Sequence, residues 1–574
     1  MRETRSRALA AYDFHAGTDT RAHTFLGVHR TSTGEYVFRL FAPRAEQVTL
    51  CGDFLPTGKR EMTSLGDGLW ELTVATEISP EGMYYAYRLE GKTVIGDPFA
   101  RRGFWDGTTG SLVCTEEEHL WQDAPWMESR AARHGRGDNV PINLYEVHLS
   151  SFATRQGRSC SGTDAYLNYR ELGDLLARYA SDMGYTHIRL WPLTEHVQES
   201  CHGNSPIGFF APTSRHGTPD HLRAMIDRLH CVGIGVVMNF SLNRCAVSYP
   251  GVAEDGVLDP TCPETQSFLL SAVLFWIKSF HLDGVCLQSD PLWNAKGEDL
   301  LRTLCASIRA SCPDVMLIGE GELFDLTEHG RFGEDTMRCI GAESRAWPPL
   351  WDRLTLTLRE TTEYGQGSLL TLSSGRRGTG RGSLTAALDG GYLQKFDSAR
   401  LMLAYQMAHP GKKQLFMGCE LGQSRVWDGT VPPDWFLREL PIHAAFWQYV
   451  RALNHFYRNE PRLWERENAV LTDGETASAV VLRRTDRQGR LLWCVLNFSR
   501  EKSDICLSAG EGIGSLRVLF HTDETAFGGQ GRIPEQIDTH FGKPTLTLPP
   551  LTALFCEPLT ETATPVRQFI LPTP

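Results

Sequence analysis

The sequence predicts an α/β protein, a (β/α)8 TIM barrel flanked by an N-terminal β-sandwich and a C-terminal β-sandwich. Three observations predict it. From Asn143 onward, short apolar runs alternate with amphipathic helical patterns for roughly 300 residues, the rhythm of repeated strand–helix units. Before about residue 120 and after about residue 465 the patterning is β only, with short runs separated by turn residues. The length, 574 residues, is too great for a single compact core. The expected division is 1–120 for the first sandwich, 121–142 for a polar linker, 143–464 for the barrel and 465–574 for the C-terminal all-β domain.

In the first segment, Glu35-Tyr-Val-Phe-Arg-Leu-Phe, Gln47-Val-Thr-Leu-Cys, Leu69-Trp-Glu-Leu-Thr-Val and Met83-Tyr-Tyr-Ala-Tyr-Arg-Leu are β-rich runs. The linker is polar and ends in Gly-Arg-Gly-Asp-Asn, a loop by composition. The barrel begins with strand Leu144-Tyr-Glu-Val-His-Leu, helix 169–183 and strand Thr186-His-Ile-Arg-Leu-Trp. A helix over 220–232 follows, with Leu222, Met225, Ile226 and Leu229 on one face. Gly235-Val-Val-Met-Asn-Phe is the third strand, followed by an apolar helix over 268–280. Residues 284–288 and Val315-Met-Leu-Ile-Gly supply the fourth and fifth strands. The sixth is expected near 337–340, the seventh over 384–388, and the last at Gln414-Leu-Phe-Met. Ser478-Ala-Val-Val-Leu-Arg-Arg, Leu491-Leu-Trp-Cys-Val-Leu-Asn-Phe, Leu546-Thr-Leu and Leu554-Phe-Cys belong to the closing sandwich.

Composition narrows the function classes. A formal net charge of −12 with no basic stripe argues against a nucleic-acid or anionic-membrane partner and suits a neutral ligand. There are 15 cysteines, an odd number without a Cys-x-x-Cys pair, so no zinc or redox spacing is present and neither metal nor cofactor is implied. Cys231, Cys245 and Cys286 lie in or beside apolar runs and read as buried free thiols. The opening Met-Arg-Glu-Thr-Arg-Ser-Arg is not followed by a signal-type apolar stretch, and a cytoplasmic location is expected.

Several segments together resemble bacterial 1,4-α-glucan branching enzymes of the α-amylase superfamily (glycoside hydrolase family 13). They include Tyr12-Asp-Phe-His-Ala-Gly-Thr, Phe25-Leu-Gly-Val-His and Phe41-Ala-Pro-Arg-Ala-Glu-Gln-Val-Thr-Leu-Cys-Gly-Asp-Phe. In the barrel, Tyr145-Glu-Val-His-Leu-Ser-Ser-Phe, Met183-Gly-Tyr-Thr-His-Ile-Arg-Leu-Trp-Pro and Pro410-Gly-Lys-Lys-Gln-Leu-Phe-Met-Gly-Cys-Glu-Leu-Gly-Gln carry the likeness. It implies that residues 1–120 are a starch-binding-type module. It also implies a retaining site at the C-terminal strand ends, where two carboxylates about 5–5.5 Å apart act as nucleophile and acid/base.

The resemblance breaks down at those strand ends. Where the family has an aspartate, and a histidine five residues later, this chain has Asn239 and Arg244. Where it has an arginine and the nucleophilic aspartate, this chain has Cys286 and Gln288, and an amide cannot form the covalent glycosyl intermediate. Glu320 matches the acid/base glutamate. Leu388-Asp389 is the local match to a His-Asp pair, which leaves Asp389 as one acid. The tyrosine under the reacting sugar is replaced by Asn204. The connections after Arg244, between Gln288 and Glu320, and after Asp389 are shorter than in the family.

Read without the family, Glu320 is a solvated rim carboxylate, Asp389 is turn chemistry in Leu-Asp-Gly-Gly, and Asp290 is a strand-end acid two residues past Gln288. Three functions remain open. The first is a catalytically inactive branching-enzyme-like protein that binds α-glucan, glycogen or maltooligosaccharide, weakly. The second is an active α-glucan enzyme pairing Glu320 with a displaced acid. The third is a subunit that binds a protein partner of glycogen metabolism.

Overall fold

The computed structural model describes residues 6–104, 110–115, 118–132, 140–155, 165–197, 205–342, 347–363, 367–372, 383–465, 469–473, 479–507, 515–538 and 545–559. At its centre is a closed barrel of parallel strands: β1 (Asn143–His148), β2 (His187–Trp191), β3 (Gly235–Ser241), β4 (Gly284–Gln288), β5 (Met316–Gly319), β6 (Leu326–Glu328), β7 (Ser368–Leu372) and β8 (Lys412–Phe416). β8 returns to pair with β1 and closes the ring. Alternation along each strand points Leu144, Val237, Cys286, Met316, Ile318, Leu326 and Leu369 into the barrel, where they form its inner core.

Two strands differ from expectation. Positions 337–339 lie in helix Phe332–Cys339, and β6 is instead the three-residue run Leu326-Thr-Glu. Leu384–Ala387 is a short helix capped by Ser383, whose hydroxyl accepts from the Ala386 amide, and β7 lies earlier at Ser368–Leu372. The linker also carries more structure than its composition implied, with helix α1 at Ala124–Ala132.

The helices around the barrel follow from their sequences. α2 (Tyr169–Asp182) opens with a capping box between Asn168 and Glu171. α3 (Pro219–Cys231) begins with Pro219 after a Thr218 cap. α4 (Pro263–Ser279) is apolar on all sides because it is covered on all sides. Its Phe268 meets Phe209 of the barrel and Phe99 of the N-terminal module, at ring-centroid distances of 5.1 and 5.2 Å. Trp276, fully buried, donates its indole N–H to the Phe209 carbonyl at 2.7 Å.

The N-terminal module packs two antiparallel sheets around Phe38, Leu50, Trp70 and Tyr85. Its contact with the barrel is close. A side chain built on Gly103 would lie 2.5 Å from a carboxylate oxygen of Glu195, so only glycine fits there. The C-terminal region is again two antiparallel sheets, around Val481, Trp493, Ile505, Leu546 and Leu554. The cysteines whose side chains are described are free thiols; Cys245 and Cys286 are buried as expected, whereas Cys231 is exposed at the end of α3. Among the described residues, no helix is long and apolar enough to cross a membrane.

Candidate functional site

The C-terminal mouth of the barrel is assembled from strand ends in register. Asn239 of β3 stands opposite Cys286 of β4, and Ser241 opposite Gln288. Cys286 is paired in turn with Ile318 of β5. These neighbours bring the positions of the expected centre together, but not the expected charges.

A guanidinium occupies the axis instead. Arg189 of β2, its side chain 1% exposed, donates through Nε to Asn239 Oδ1 at 2.6 Å and through Nη2 to Cys286 Sγ at 2.9 Å. Its Nη1 donates to Gln414 Oε1 at 2.9 Å and pairs with Glu328 of β6. The amide of Gln414 passes the network on to Glu146 of β1 at 2.8 Å. Burial opposes the charge on Arg189, but the Cys286 sulfur with Glu328 and Glu146 outweighs it and raises its pKa above the ordinary value. The sequence reading missed this hub. The available signal was a charged residue in mid-strand on the inward face, two residues before Trp191.

The candidate residues are distributed unevenly around the hub. Gln288 is half-buried at the end of β4, and its carbonyl accepts from the Leu242 amide at 2.9 Å. Glu320 is the first residue past β5 and is exposed. Asp290 is the N-cap of a short helix, α5 (Pro291–Lys296), accepting from the Trp293 amide at 2.8 Å and the Asn243 side chain at 2.7 Å. Those two bonds hold its carboxyl below the usual range. Arg244 is exposed and bridges to Val257 beside it. Asn204 lies outside the described residues.

Leu388 and Asp389 need correcting as strand-seven residues. β7 ends at Leu372, so the chain just beyond it, 373–382, lies outside the described residues. Leu388 is the buried C-cap of helix 384–387, and Asp389 is an exposed residue after it. On the opposite side of the mouth, His148, Trp191, Phe416 and Trp427 form an aromatic wall. Trp427 lies 5.0 Å from the His148 ring and 5.1 Å from Phe416, and donates to Ser151 Oγ at 3.0 Å.

Comparison with known proteins places this geometry in a family. Residues 25–100 match carbohydrate-binding module 48, the isoamylase N-terminal domain. A 1,4-alpha-glucan branching enzyme of Aquifex aeolicus is 30% identical, with 95% of this chain and 97% of that protein covered. The chain belongs to the 1,4-alpha-glucan branching enzyme family. The branching enzyme of Albidiferax ferrireducens is 28% identical over 95% of this chain and 98% of its own length. Two solved structures share the fold at low identity. One is the GBS pullulanase SAP in complex with maltotetraose (TM-score 0.72, 15% identity, 93% of this chain and 87% of that one). The other is the catalytic module of the glycogen-degrading pneumococcal virulence factor SpuA (TM-score 0.72, 13% identity, 97% of this chain and all of that one).

Proposed function

We propose that this member of the branching enzyme family binds α-glucan and does not transfer it. One observation carries the reading: among the described strand ends, the acids left exposed and uncommitted are Glu320 and its neighbour Glu322, both just past β5, and no such acid stands across the mouth from them. Asp290 is spent on a helix cap, Glu328 on Arg189, and Asp389 follows a different element from the one expected. The position of the nucleophile is the amide Gln288. A retaining centre loses nearly all of its rate when one member of the unit is removed.

Glucan binding is supported by the carbohydrate-binding module match over 25–100 and by the maltotetraose held by a protein of the same fold. Exposed rings add to this support, with Tyr392 55% and Phe436 62% accessible after β7 and β8. Sugar faces stack on such rings, while hydroxyls gain little by exchanging water for protein partners. Affinity for maltoheptaose is therefore expected near millimolar, about −4 kcal/mol. The module limits proposed from the sequence, 1–120, 143–464 and 465–574, fit this reading.

The test is incubation with amylose, following iodine staining and debranched chain lengths beside an active relative, with calorimetry on maltoheptaose and glycogen. Expected are unchanged chain lengths and a weak binding isotherm. New α-1,6 branch points that vanish in Glu320→Gln would overturn the non-catalytic reading. No heat and no co-sedimentation with glycogen would overturn the glucan reading in favour of a protein partner.

A second reading has one observation in its favour. Gly319 of β5 pairs with Thr327 of β6, which puts positions 320 and 328 on neighbouring strand ends, roughly 4.8 Å apart in backbone spacing. Glu320 with Glu328 would then be the displaced acid pair. Reducing ends released from amylose by the native chain, and lost in both Glu320→Gln and Glu328→Gln, would establish it.

A further inference from the structure

The hub at the barrel axis ties together six of the eight strands: Arg189 of β2 reaches Asn239 of β3, Cys286 of β4, Glu328 of β6 and Gln414 of β8, and Gln414 reaches Glu146 of β1. Its guanidinium touches the sulfur of Cys286, the position where the branching-enzyme pattern has an arginine. We propose that Arg189 has taken over the place of that arginine from the neighbouring side of the barrel, and that the two side chains exclude each other, so the centre is locked against restoration at position 286. The inference does not depend on what the chain binds.

Space and charge both support the exclusion. Cys286 is 2% exposed, and its sulfur already lies 2.9 Å from Nη2. Any longer side chain from β4 must pass through the volume held by Arg189, in a layer closed below by Val237, Met316 and Ile318. Arg189 already draws on both nearby carboxylates, Glu328 in contact and Glu146 beyond the Gln414 amide, so a second buried cation would have neither to itself. A buried cation without its own counter-charge is strongly unfavourable. The apolar side chains lining this layer, Val237, Met316 and Ile318, offer it no hydrogen bond.

The consequence is an order of events. Returning Asn239, Cys286 and Gln288 to the residues of active relatives fails while Arg189 remains, whatever the loops do. The position of the cation and the loss of the site are one coupled change rather than separate losses.

The experiment is a set of thermal melts on the full chain, with soluble yield as a second measure. Cys286→Arg is expected to lower the melting temperature by about 10 °C or more, or to abolish soluble protein. Cys286→Met, unbranched like arginine but shorter and neutral, is expected to lose less than half as much. Arg189→Met/Cys286→Arg restores a single guanidinium opposite Glu328 and is expected to recover at least half of the loss, or the soluble yield. Three results would each overturn the proposal: Cys286→Arg melting within about 3 °C of the native chain, Cys286→Met losing as much as Cys286→Arg, or the double variant faring no better than Cys286→Arg alone.

Discussion

Gln288 and Glu320 sit at neighbouring levels of the same mouth under different physical conditions. Gln288 is half-buried above an apolar, ion-paired layer, and Glu320 stands in solvent. A carboxylate at 288 would enter an environment whose buried cation, Arg189, already serves Glu328. Gln288→Asp is therefore expected to lower stability by roughly 1–3 kcal/mol, read as a shifted denaturant midpoint at unchanged slope. An equal or higher midpoint would mean that the mouth is hydrated and tolerant of charge. On the rim, Tyr392→Ala and Phe436→Ala are each expected to weaken maltoheptaose binding by about 1 kcal/mol without moving the melting temperature; calorimetry that finds neither variant weaker would remove these rings from the contact. The substitutions proposed at 239, 286 and 288 could be read from the sequence because those positions fall inside recognisable strand motifs, and the strands lie where those motifs put them. Arg189 was not, since an arginine in mid-strand has no meaning until the partners from β3, β4, β6 and β8 converge on it.

Asp290 shows why an acid near a strand end need not be catalytic. It follows Ser289 and precedes Pro291, and Pro at the first helical position with an acid before it is a helix start. Asp290→Ala is expected to lower the melting temperature slightly and leave glucan affinity unchanged; a change in affinity with no change in melting would assign it to the site. Elsewhere the elements were readable wherever apolar periodicity ran long enough. β1 to β5 and β8 lie where the sequence put them. β6 is only three residues, Leu326-Thr-Glu, too short for a period-two signal. β7 is a Leu-rich run, Ser368-Leu-Leu-Thr-Leu, but Leu384-Thr-Ala-Ala-Leu competed with it in the same stretch. The helix start there, Ser383 before Leu384, was the overlooked clue.

The whole molecule is fastened at the closed end of the barrel as well as at its mouth. His230 of α3 lies between Asp123, at 2.8 Å, and Asp283, at 2.9 Å. Asp123 also takes His281 at 2.9 Å. Asp283 also accepts from Trp126 at 2.8 Å and Arg130 at 3.1 Å, both on α1, and Arg130 reaches Asp314 at 2.6 Å. Burial alone would strip the charge from His230, but the two carboxylates outweigh it and push its pKa up to about 9. Burial likewise opposes ionisation of Asp283 and Asp123, while their histidine and arginine partners hold both below the usual carboxylate range. Because His230 binds its proton more tightly folded than unfolded, its contribution is full below about pH 6.5 and fades as pH rises through about 9. The carboxylates' contribution is lost at the other end, as pH falls below their ordinary range. A melting temperature measured across pH is thus expected to be highest between those limits. In His230→Asn the alkaline fall should flatten; an identical alkaline limb in the two proteins would show that the clasp carries no stability.

The glycine at 103, pressed against the carboxylate of Glu195, and the ring contact of Phe99 with Phe268 pack the first module closely against the barrel. A flexibly tethered module searches a volume around its partner, and a polymer of almost any length can bridge the two. Here the separation is fixed, as on a ruler. Any chain that engages both surfaces must reach a set length before the second contact adds to the first, so avidity should arrive as a step in a ladder of maltooligosaccharides rather than as a slope.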